Sequence, residues 1–379
     1  MAQKSTLGLV LSGGGARAAY QAGVLLAVSR LLPDASVNPF PIICGTSAGA
    51  INATALAASA DNFRRAVISL IKVWRRVHVS EVYDAGSLSL LKTFLHFGVS
   101  ILSGGHLWKN PESLLDNAPL RQFLRQGLAF DGIASSVEKG ALHALALTAS
   151  CYSTGMSVSF FEGRSGLAEW SRHQRVGIRD CITLDHLMAS AAIPLIFPAA
   201  RLGDRYYCDG AVRQMAPLSP AVHLGADKLF VIGLTGQQPV VHERRLHHGY
   251  PSPAQVFGHL LTSVFQDGLS MDMERLLRIN HTVSLLDSSA SRVMRTPLRN
   301  VDVFMVNPSQ SLESIAYKHI RLFPPLLRFL LSGAGGTKPR GAALATYLLF
   351  EPGYCRELIR LGYRDAWCQR DAIRRFLEL

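Results

Sequence analysis

IICGTSAGAI, residues 42–51, runs from an apolar segment of strand length into a segment rich in alanine. Ser47 lies at the junction, with a glycine two residues away on each side, in the pattern G-x-S-x-G over residues 45–49. On a sharp strand-to-helix turn this pattern exposes a nucleophilic serine, because neighbours without side chains leave room for a strained backbone. A glycine-rich turn capped by serine has the same pattern, but the strand and helix on either side favour the nucleophile.

The segments around this turn predict an α/β fold. Residues 7–12 and 41–45 are short, continuously apolar runs, as in buried parallel strands. Residues 16–32 and 48–60 follow them with the spacing of helices. Alternating strands and helices imply right-handed parallel crossovers. Further strands are predicted at 141–152, 158–163, 227–234, 282–286 and 301–306. Residues 183–211 are predicted to form a helix, a turn and a hairpin. Two more helices are predicted, one from Ser252 to about Ile279 and one from about Pro352 onward.

Charge and composition limit the classes of partner. The chain has 379 residues, 48% of them hydrophobic, and a formal net charge of +12. Residues 315–379 hold eleven Lys or Arg and five Asp or Glu, so half of the net charge lies there. Such a charge suits nucleic acid or an anionic membrane. Because no zinc finger, aromatic RNA-binding motif or dense basic run accompanies it, we expect no nucleic acid partner and peripheral contact with an anionic membrane.

Cysteine usage and hydropathy indicate the compartment. The six cysteines are scattered without a C-x-x-C pair, which suits a reducing environment and predicts no metal or redox motif. The first residues lack the apolar length of a signal peptide, and residues 87–105 and 321–336 are too short and too polar to span a bilayer. We therefore expect a cytoplasmic protein, peripheral on the inner membrane, with no cofactor.

The glycine-rich stretch SGGGARAAYQAG, residues 12–23, admits two interpretations. A dinucleotide-binding loop would need an acidic residue at the end of the next strand, where this chain has the Ser47 turn, so we reject it. The other is an oxyanion hole, since successive glycines leave backbone N–H groups uncovered beside the serine. Arg17, just beyond the glycines, would brace the loop, meet a substrate phosphate or form a surface salt bridge.

The serine also needs a base. Asp209 follows a predicted strand and precedes Gly210, in the segment YYCDGAVRQMAP. Asp-Gly is a common turn dipeptide, so this segment taken alone leaves the role open. Histidines that follow Asp209 would permit a Ser-Asp-His order instead: His223, His242, His247, His248, His259 and His281.

Together these motifs resemble the patatin-like phospholipase family, and its bacterial members in particular. The matching residues are Gly13, Gly14, Gly15, Ala16 and Arg17 in the oxyanion motif, Gly45, Thr46, Ser47, Ala48 and Gly49 in the nucleophile elbow, and Asp209, Gly210 and Ala211 in the Asp-Gly motif. The likeness extends over about 7–235. This chain departs from the pattern at Gln214 and Met215, where relatives often carry Asn.

The resemblance implies a three-layer patatin-like α/β fold with a mostly parallel central sheet flanked by helices. It also implies a Ser47–Asp209 dyad that hydrolyses phospholipids or other fatty acyl esters through an acyl-enzyme. We expect a catalytic domain over 1–310 and a basic, helical extension over 311–379. Residues 87–104 and 315–331 are candidates for a lid or a membrane-docking face, and an ordinary core helix is the alternative for both segments. Two alternatives stay open, namely a carboxylesterase or thioesterase on soluble esters, and a non-catalytic membrane-associated regulatory module.

Overall fold

The fold is that of a computed structural model, which describes residues 6–86, 112–236, 250–285, 298–338 and 341–379. It also describes the single residues Leu90, Lys92, Leu95, His96, Ser100 and Ser103. The candidate lid at 87–104 therefore falls almost wholly outside the described residues, as do His242, His247 and His248.

The described residues form one ten-stranded sheet with helices on both faces. The strands are β1 Leu7–Leu11, β2 Ile42–Thr46, β3 Ala144–Cys151, β4 Ser157–Gly163, β5 Trp170–Arg172, β6 Arg175–Arg179, β7 Ala200–Leu202, β8 Arg205–Asp209, β9 Lys228–Ile232 and β10 Asp302–Val306. The helices are α1 Ala19–Leu31, α2 Ala48–Ala57, α3 Phe63–Trp74, α4 Val79–Val82, α5 Ala118–Gly127, α6 Asp131–Glu138, α7 Leu184–Ser190, α8 Ser219–His223, α9 Pro253–Thr262, α10 Gly268–Leu285, α11 Leu312–His319, α12 Pro325–Gly333, α13 Ala342–Leu348, α14 Pro352–Cys368 and α15 Arg370–Leu377.

The central strands run parallel in the order β10-β9-β1-β2-β3, and antiparallel β4 and β8 both pair with β3. Side chains of a strand alternate between the two faces of a sheet. Accordingly, Leu9 and Leu11 join the core with α1, α2 and the C-terminal helices, whereas Val10 joins the core with α8 and α10. The result is three layers, which confirms the predicted fold class.

Strand register brings three loops to one edge of the sheet. Leu11 of β1 pairs with Gly45 of β2, so the glycine loop after β1 lies beside the turn that carries Ser47. Thr46 pairs with Thr148 of β3, and the next β3 residue, Ala149, pairs with Asp209. Consequently the glycine loop, the serine turn and the Asp loop meet although they are far apart in the sequence.

One predicted strand is wrong. Residues 282–285 belong to α10, which ends at Leu285 rather than near Ile279. The Thr282 hydroxyl donates to the Arg278 carbonyl one turn earlier at 3.0 Å, a bond that only a helical backbone allows. A short apolar run such as TVSLL fits a strand or the end of a helix equally well, and here the preceding helix includes its described residues, 282–285.

The segment between α9 and α10, Ser263–Asp267, is a single π-helical turn. Such turns are rare in helices and are found frequently at functional sites. This turn directs Phe265 towards the glycine loop, where a methyl group on Gly13 would lie 3.0 Å from its ring.

The C-terminal helices pack directly on the parallel sheet's helical layer. Helix α14 crosses α1 so closely that a Cβ atom on Gly362 would lie 2.2 Å from the Tyr20 carbonyl oxygen. The Tyr20 hydroxyl donates to Asp365 at 3.1 Å across the same contact. Among the described helices, none combines the length and the hydrophobicity required to cross a bilayer.

Candidate active site

Ser47 lies at a strained turn between β2 and α2. Its backbone angles are φ 57° and ψ −130°, a region that L-residues rarely adopt and that costs roughly 1–3 kcal/mol. A Cβ atom on Gly45 would lie 2.5 Å from the Gly49 carbonyl oxygen, and one on Gly49 would lie 2.3 Å from the Leu11 carbonyl oxygen. Both glycines of the motif are therefore required by close backbone contacts, as the pattern predicted.

The turn is held from the opposite side by Ser190 at the end of α7. The Ser190 hydroxyl accepts a hydrogen bond from the Ser47 N–H at 2.9 Å and donates to the Thr148 carbonyl at 2.7 Å. All three residues are buried. Their hydrogen bonds fix the serine turn to β3, the strand that also pairs with the Asp loop.

Asp209, at the end of β8, is fully buried. Its Oδ1 accepts a hydrogen bond from the Ala211 N–H at 3.0 Å, which shapes the Asp loop. A Cβ atom on Gly210 would lie 2.1 Å from the Thr148 carbonyl oxygen and 2.8 Å from Thr46 Cγ2, so this loop packs against the residue before Ser47. Register, glycine packing and burial together place the carboxyl group beside the serine.

Burial raises the pKa of Asp209 to about 7, and hydrogen bonding from the Ser47 side chain and from the Ala211 N–H only partly offsets it. The second oxygen, Oδ2, is buried and has no hydrogen-bond partner within 3.5 Å in the described part of the chain. The Ser47 side chain is therefore near enough to the carboxyl group to lower its pKa, and Oδ2 is left without a donor among the described residues. A carboxyl group with a pKa near neutrality is suited to accept a proton from a hydroxyl.

The glycine loop lies against Ser47. A Cβ atom on Gly13 would lie 3.0 Å from the Cβ of Ser47, so any larger residue there would crowd the serine. Within the part of the chain that the structure describes, the N–H groups of Gly13, Gly14, Gly15 and Ala16 have no acceptor. These four donors lie in one short loop beside the serine.

The amino-acid sequence is similar to those of known proteins. The sequence profile of the family described as Patatin-like phospholipase matches residues 9–222, more than half of the chain. The chain belongs to this family. A cGAMP-activated phospholipase of Pseudomonas aeruginosa (strain BWHPSA011 / Pa011) is 30% identical over 209 residues, which are 55% of this chain and 53% of that protein. The chain thus spans about half the length of that relative.

Among solved structures, human GIVD cytosolic phospholipase A2 matches with a TM-score of 0.47 at 10% identity, over 99% of this chain and 60% of that one. The same human protein in complex with methyl gamma-linolenyl fluorophosphonate matches with a TM-score of 0.46 at 11% identity, over 99% and 59%.

In this patatin-like chain Arg17 is a structural residue. Its side chain is 1% exposed, so it neither forms a surface salt bridge nor reaches a substrate phosphate, two of the three roles that the sequence left open. Nε donates to the Thr346 hydroxyl at 2.6 Å, Nη2 pairs with Glu313 at 3.2 Å, and the guanidinium lies 4.1 Å from the centre of the Tyr347 ring. Its own N–H donates to the Gly14 carbonyl and is not free for a ligand. Arg17 therefore braces the glycine loop against the C-terminal helices.

Gln214 has a part in this patatin-like site that sequence reasoning missed. Its Oε1 accepts from the Thr46 hydroxyl at 2.7 Å, and its Nε2 donates to the Thr148 hydroxyl at 3.0 Å. The side chain thereby connects the Asp loop to β2, through Thr46, and to β3, through Thr148. The only signal in the sequence was the departure from the family pattern at this position.

Ser47 opens on a narrow apolar cavity of about 60 Å³. Ser47 and Ala48 are among the lining residues, and most of the walls come from α3, α5 and the segment after α7, including Leu70, Trp74, Leu120, Leu124 and Phe197. Ligand pockets usually measure about 300–1,000 Å³, so the walls must separate for a long acyl chain to enter. The lining suits a hydrocarbon chain whose carbonyl group lies at the serine.

The described histidines proposed as alternative bases lie elsewhere. His223 stacks on Trp170 with 4.9 Å between ring centroids, and burial together with Arg172 and Arg175 lowers its pKa to about 4. His259 and His281 are exposed on α9 and α10. In the described ranges, no group of three or more His, Cys, Asp or Glu residues is arranged to hold a metal ion.

Proposed function

We propose that the chain is a lipid acyl hydrolase of the phospholipase A or lysophospholipase type, with Ser47 as nucleophile and Asp209 as base. The observation that carries the proposal is the fully buried Asp209 carboxyl group, with a pKa of about 7, beside a serine in a strained backbone conformation. Strain and a buried, perturbed carboxyl group both cost stability, and their coincidence at one point is typical of catalytic sites.

In the proposed reaction Asp209 accepts the proton of the Ser47 hydroxyl as Oγ bonds to the ester carbonyl carbon. The carbonyl π electrons move to oxygen, and the N–H groups of Gly13 to Ala16 stabilise the resulting oxyanion. When the tetrahedral intermediate collapses, the bond to the leaving alcohol breaks and Asp209 returns the proton to that alcohol. Water then attacks the acyl-enzyme by the same steps and releases the fatty acid.

The apolar cavity favours fatty acyl esters over small soluble esters. A carboxylesterase or thioesterase with the same pair of residues remains the alternative, together with a non-catalytic membrane-associated module. Hydrolysis of esters of increasing acyl length distinguishes a lipid hydrolase from a carboxylesterase or thioesterase. The rate of a lipid hydrolase rises with acyl chain length, and it rises again above the concentration at which the substrate aggregates. Failure of a fluorophosphonate probe to label Ser47 would favour the non-catalytic module.

The decisive experiment measures ester hydrolysis and probe labelling in full-length Ser47→Ala and Asp209→Asn. We expect both variants to lose hydrolysis, because each lacks one partner of the proton transfer. Ser136→Ala, in α6 and away from the site, is the matched control for loss of a buried serine hydroxyl, and we expect it to hydrolyse esters like the wild type. Wild-type rates in a folded Asp209→Asn protein would refute the role of the carboxylate.

We also propose three further properties of the chain: a cytoplasmic location, contact of the basic segment 311–379 with an anionic membrane, and activation by a soluble ligand. The last rests on the name of the Pseudomonas relative, a cGAMP-activated phospholipase. Hydrolysis assayed with and without cGAMP, and sedimentation with anionic vesicles, test these features directly.

A further inference from the structure

A second cavity, of about 570 Å³, lies on the other side of the Asp loop from the acyl cavity. Its walls come from β4, the β5–β6 hairpin, the loop after Asp209 and helix α10. The basic residues that line it are Arg172, His173, Arg175, Arg213, Arg275 and Arg278, and among the described lining residues Asp272 is the only carboxylate.

The positive charge of this cavity is largely uncompensated. Of its arginines, Arg278 pairs with Glu274 at 3.6 Å. The other four have no carboxylate oxygen within 4 Å among the described residues. Asp272 offsets part of this charge, because it interacts electrostatically with Arg175 and Arg275, and its Oδ2 also accepts the Leu218 N–H at 2.9 Å. Since arginine is always charged, these four guanidinium groups repel one another until an anion joins them.

Arg175 is the least exposed of these arginines. Its Nε is buried and has no hydrogen-bond partner among the described residues. An unpaired buried donor destabilises the protein, so this position is stabilised when an acceptor enters the cavity. Burial, together with the positive charges of Arg172 and Arg175, lowers the pKa of the neighbouring His223.

The cavity shares a wall with the catalytic machinery. Gln214, which lines the cavity, is hydrogen-bonded to Thr46 next to Ser47, and the N–H of Arg213 donates to Ser150 at 3.1 Å. Ser159, on the opposite wall, is hydrogen-bonded to the Thr148 hydroxyl at 3.1 Å. A ligand that binds both Arg213 and Arg175 therefore also acts on the loop that positions Asp209.

We propose that this cavity binds a phosphorylated small molecule, distinct from the scissile acyl ester, and that its binding holds the Asp loop in the catalytic arrangement. Phosphate is the anion that matches several guanidinium forks, since each forms paired, charge-assisted hydrogen bonds. The volume exceeds the need of one phosphate ion and leaves room for an organic body against the exposed faces of Met215 and Met271. A soluble metabolite and a phospholipid headgroup share this chemistry.

Binding is tested in full-length Ser47→Ala protein, so that the outcome does not depend on hydrolysis. The soluble probes are inorganic pyrophosphate and cyclic di-AMP, followed by calorimetry and by the shift in melting temperature. Arg175→Gln and Arg275→Gln each remove one guanidinium from the cavity. Arg64→Gln removes an exposed arginine from α3, outside the cavity, and is the matched control.

We expect at least one soluble probe to bind, each cavity variant to weaken binding by about tenfold or more, and Arg64→Gln to leave it unchanged. In the wild-type enzyme the bound probe then raises the rate of ester hydrolysis. Arg175-dependent binding only to vesicles of phosphatidylglycerol in phosphatidylcholine would support the headgroup as the source of the phosphate. Absence of all binding, or equal binding by the cavity variants and the control, would overturn the proposal without touching the proposed hydrolase activity.

Discussion

Asp209→Asn should stabilise the fold at alkaline pH while abolishing hydrolysis. Asparagine has nearly the shape of aspartate and keeps an oxygen to accept the Ala211 N–H, so the Asp loop is preserved. It removes only the ionisation of a group that is fully buried. The substitution therefore isolates the free-energy cost of keeping a carboxylate in this place.

The magnitude follows from the pKa of Asp209, which burial raises from 3.8 to about 7. Between these values the unfolded chain has released the proton and the folded chain still holds it, so the free energy of unfolding falls as pH rises. Each pH unit of this window costs about 1.4 kcal/mol. From pH 5 to pH 8 the wild type should lose about 3 kcal/mol relative to Asp209→Asn, with most of the loss complete near pH 7.

The assay is equilibrium denaturation of both proteins at pH 5 and pH 8, because the difference between them cancels the titration of all other groups. Asp204→Asn, in the exposed turn between β7 and β8, is the control for loss of one negative charge. If the free energies of unfolding of the wild type and of Asp209→Asn differ by the same amount at both pH values, the carboxyl group ionises as readily in the folded protein as in the unfolded chain. That result would remove the physical basis for a base poised near neutrality.

Two further predictions concern the walls of the site. Gln214→Leu breaks the hydrogen bonds to Thr46 and Thr148, so we expect a folded protein whose kcat on a soluble ester is reduced by about tenfold or more. An unchanged kcat would show that these hydrogen bonds do not position the Asp loop. Leu120→Trp fills the apolar cavity, so hydrolysis of long acyl esters should fall while hydrolysis of short ones persists, which a series of p-nitrophenyl esters measures. Equal losses of activity at all chain lengths would show that the acyl chain binds elsewhere.

The sequence patterns at Ser47 and at Asp209 could be recognised from the sequence, although the catalytic roles of these residues stay predictions. Gly45 is required by a local contact with Gly49, four residues further on, whereas Gly49 is required by a contact with Leu11 of the neighbouring strand. Asp209 stood out as the end of a strand before Gly210, and its role as the base followed only from the resemblance to the family. The fold class followed from alternating apolar strands and helices, which the three layers of the structure confirm.

The supporting contacts were not predictable because they join distant parts of the chain. Arg17 meets Thr346 across 329 residues, and Gln214 meets Thr46 across 168. No local pattern distinguishes a buried, bracing arginine from one that binds substrate. The same limit explains the strand wrongly placed at 282–286, because its apolar run suits either type of element and only tertiary packing selects the helix.

These distant contacts offset the instability of Ser47 and Asp209, the proposed catalytic residues. The strained Ser47 backbone costs roughly 1–3 kcal/mol, and an ionised Asp209 costs about 4 kcal/mol relative to an exposed one. Both penalties would relax if the turn or the Asp loop could move by a fraction of an ångström. Ser190 fixes the first to β3 and Gln214 fixes the second to β2 and β3, so the sheet itself prevents that movement. A variant that loosens either anchor should therefore gain stability at alkaline pH as it loses hydrolysis, and this opposite change separates a positioning role from simple damage to the core.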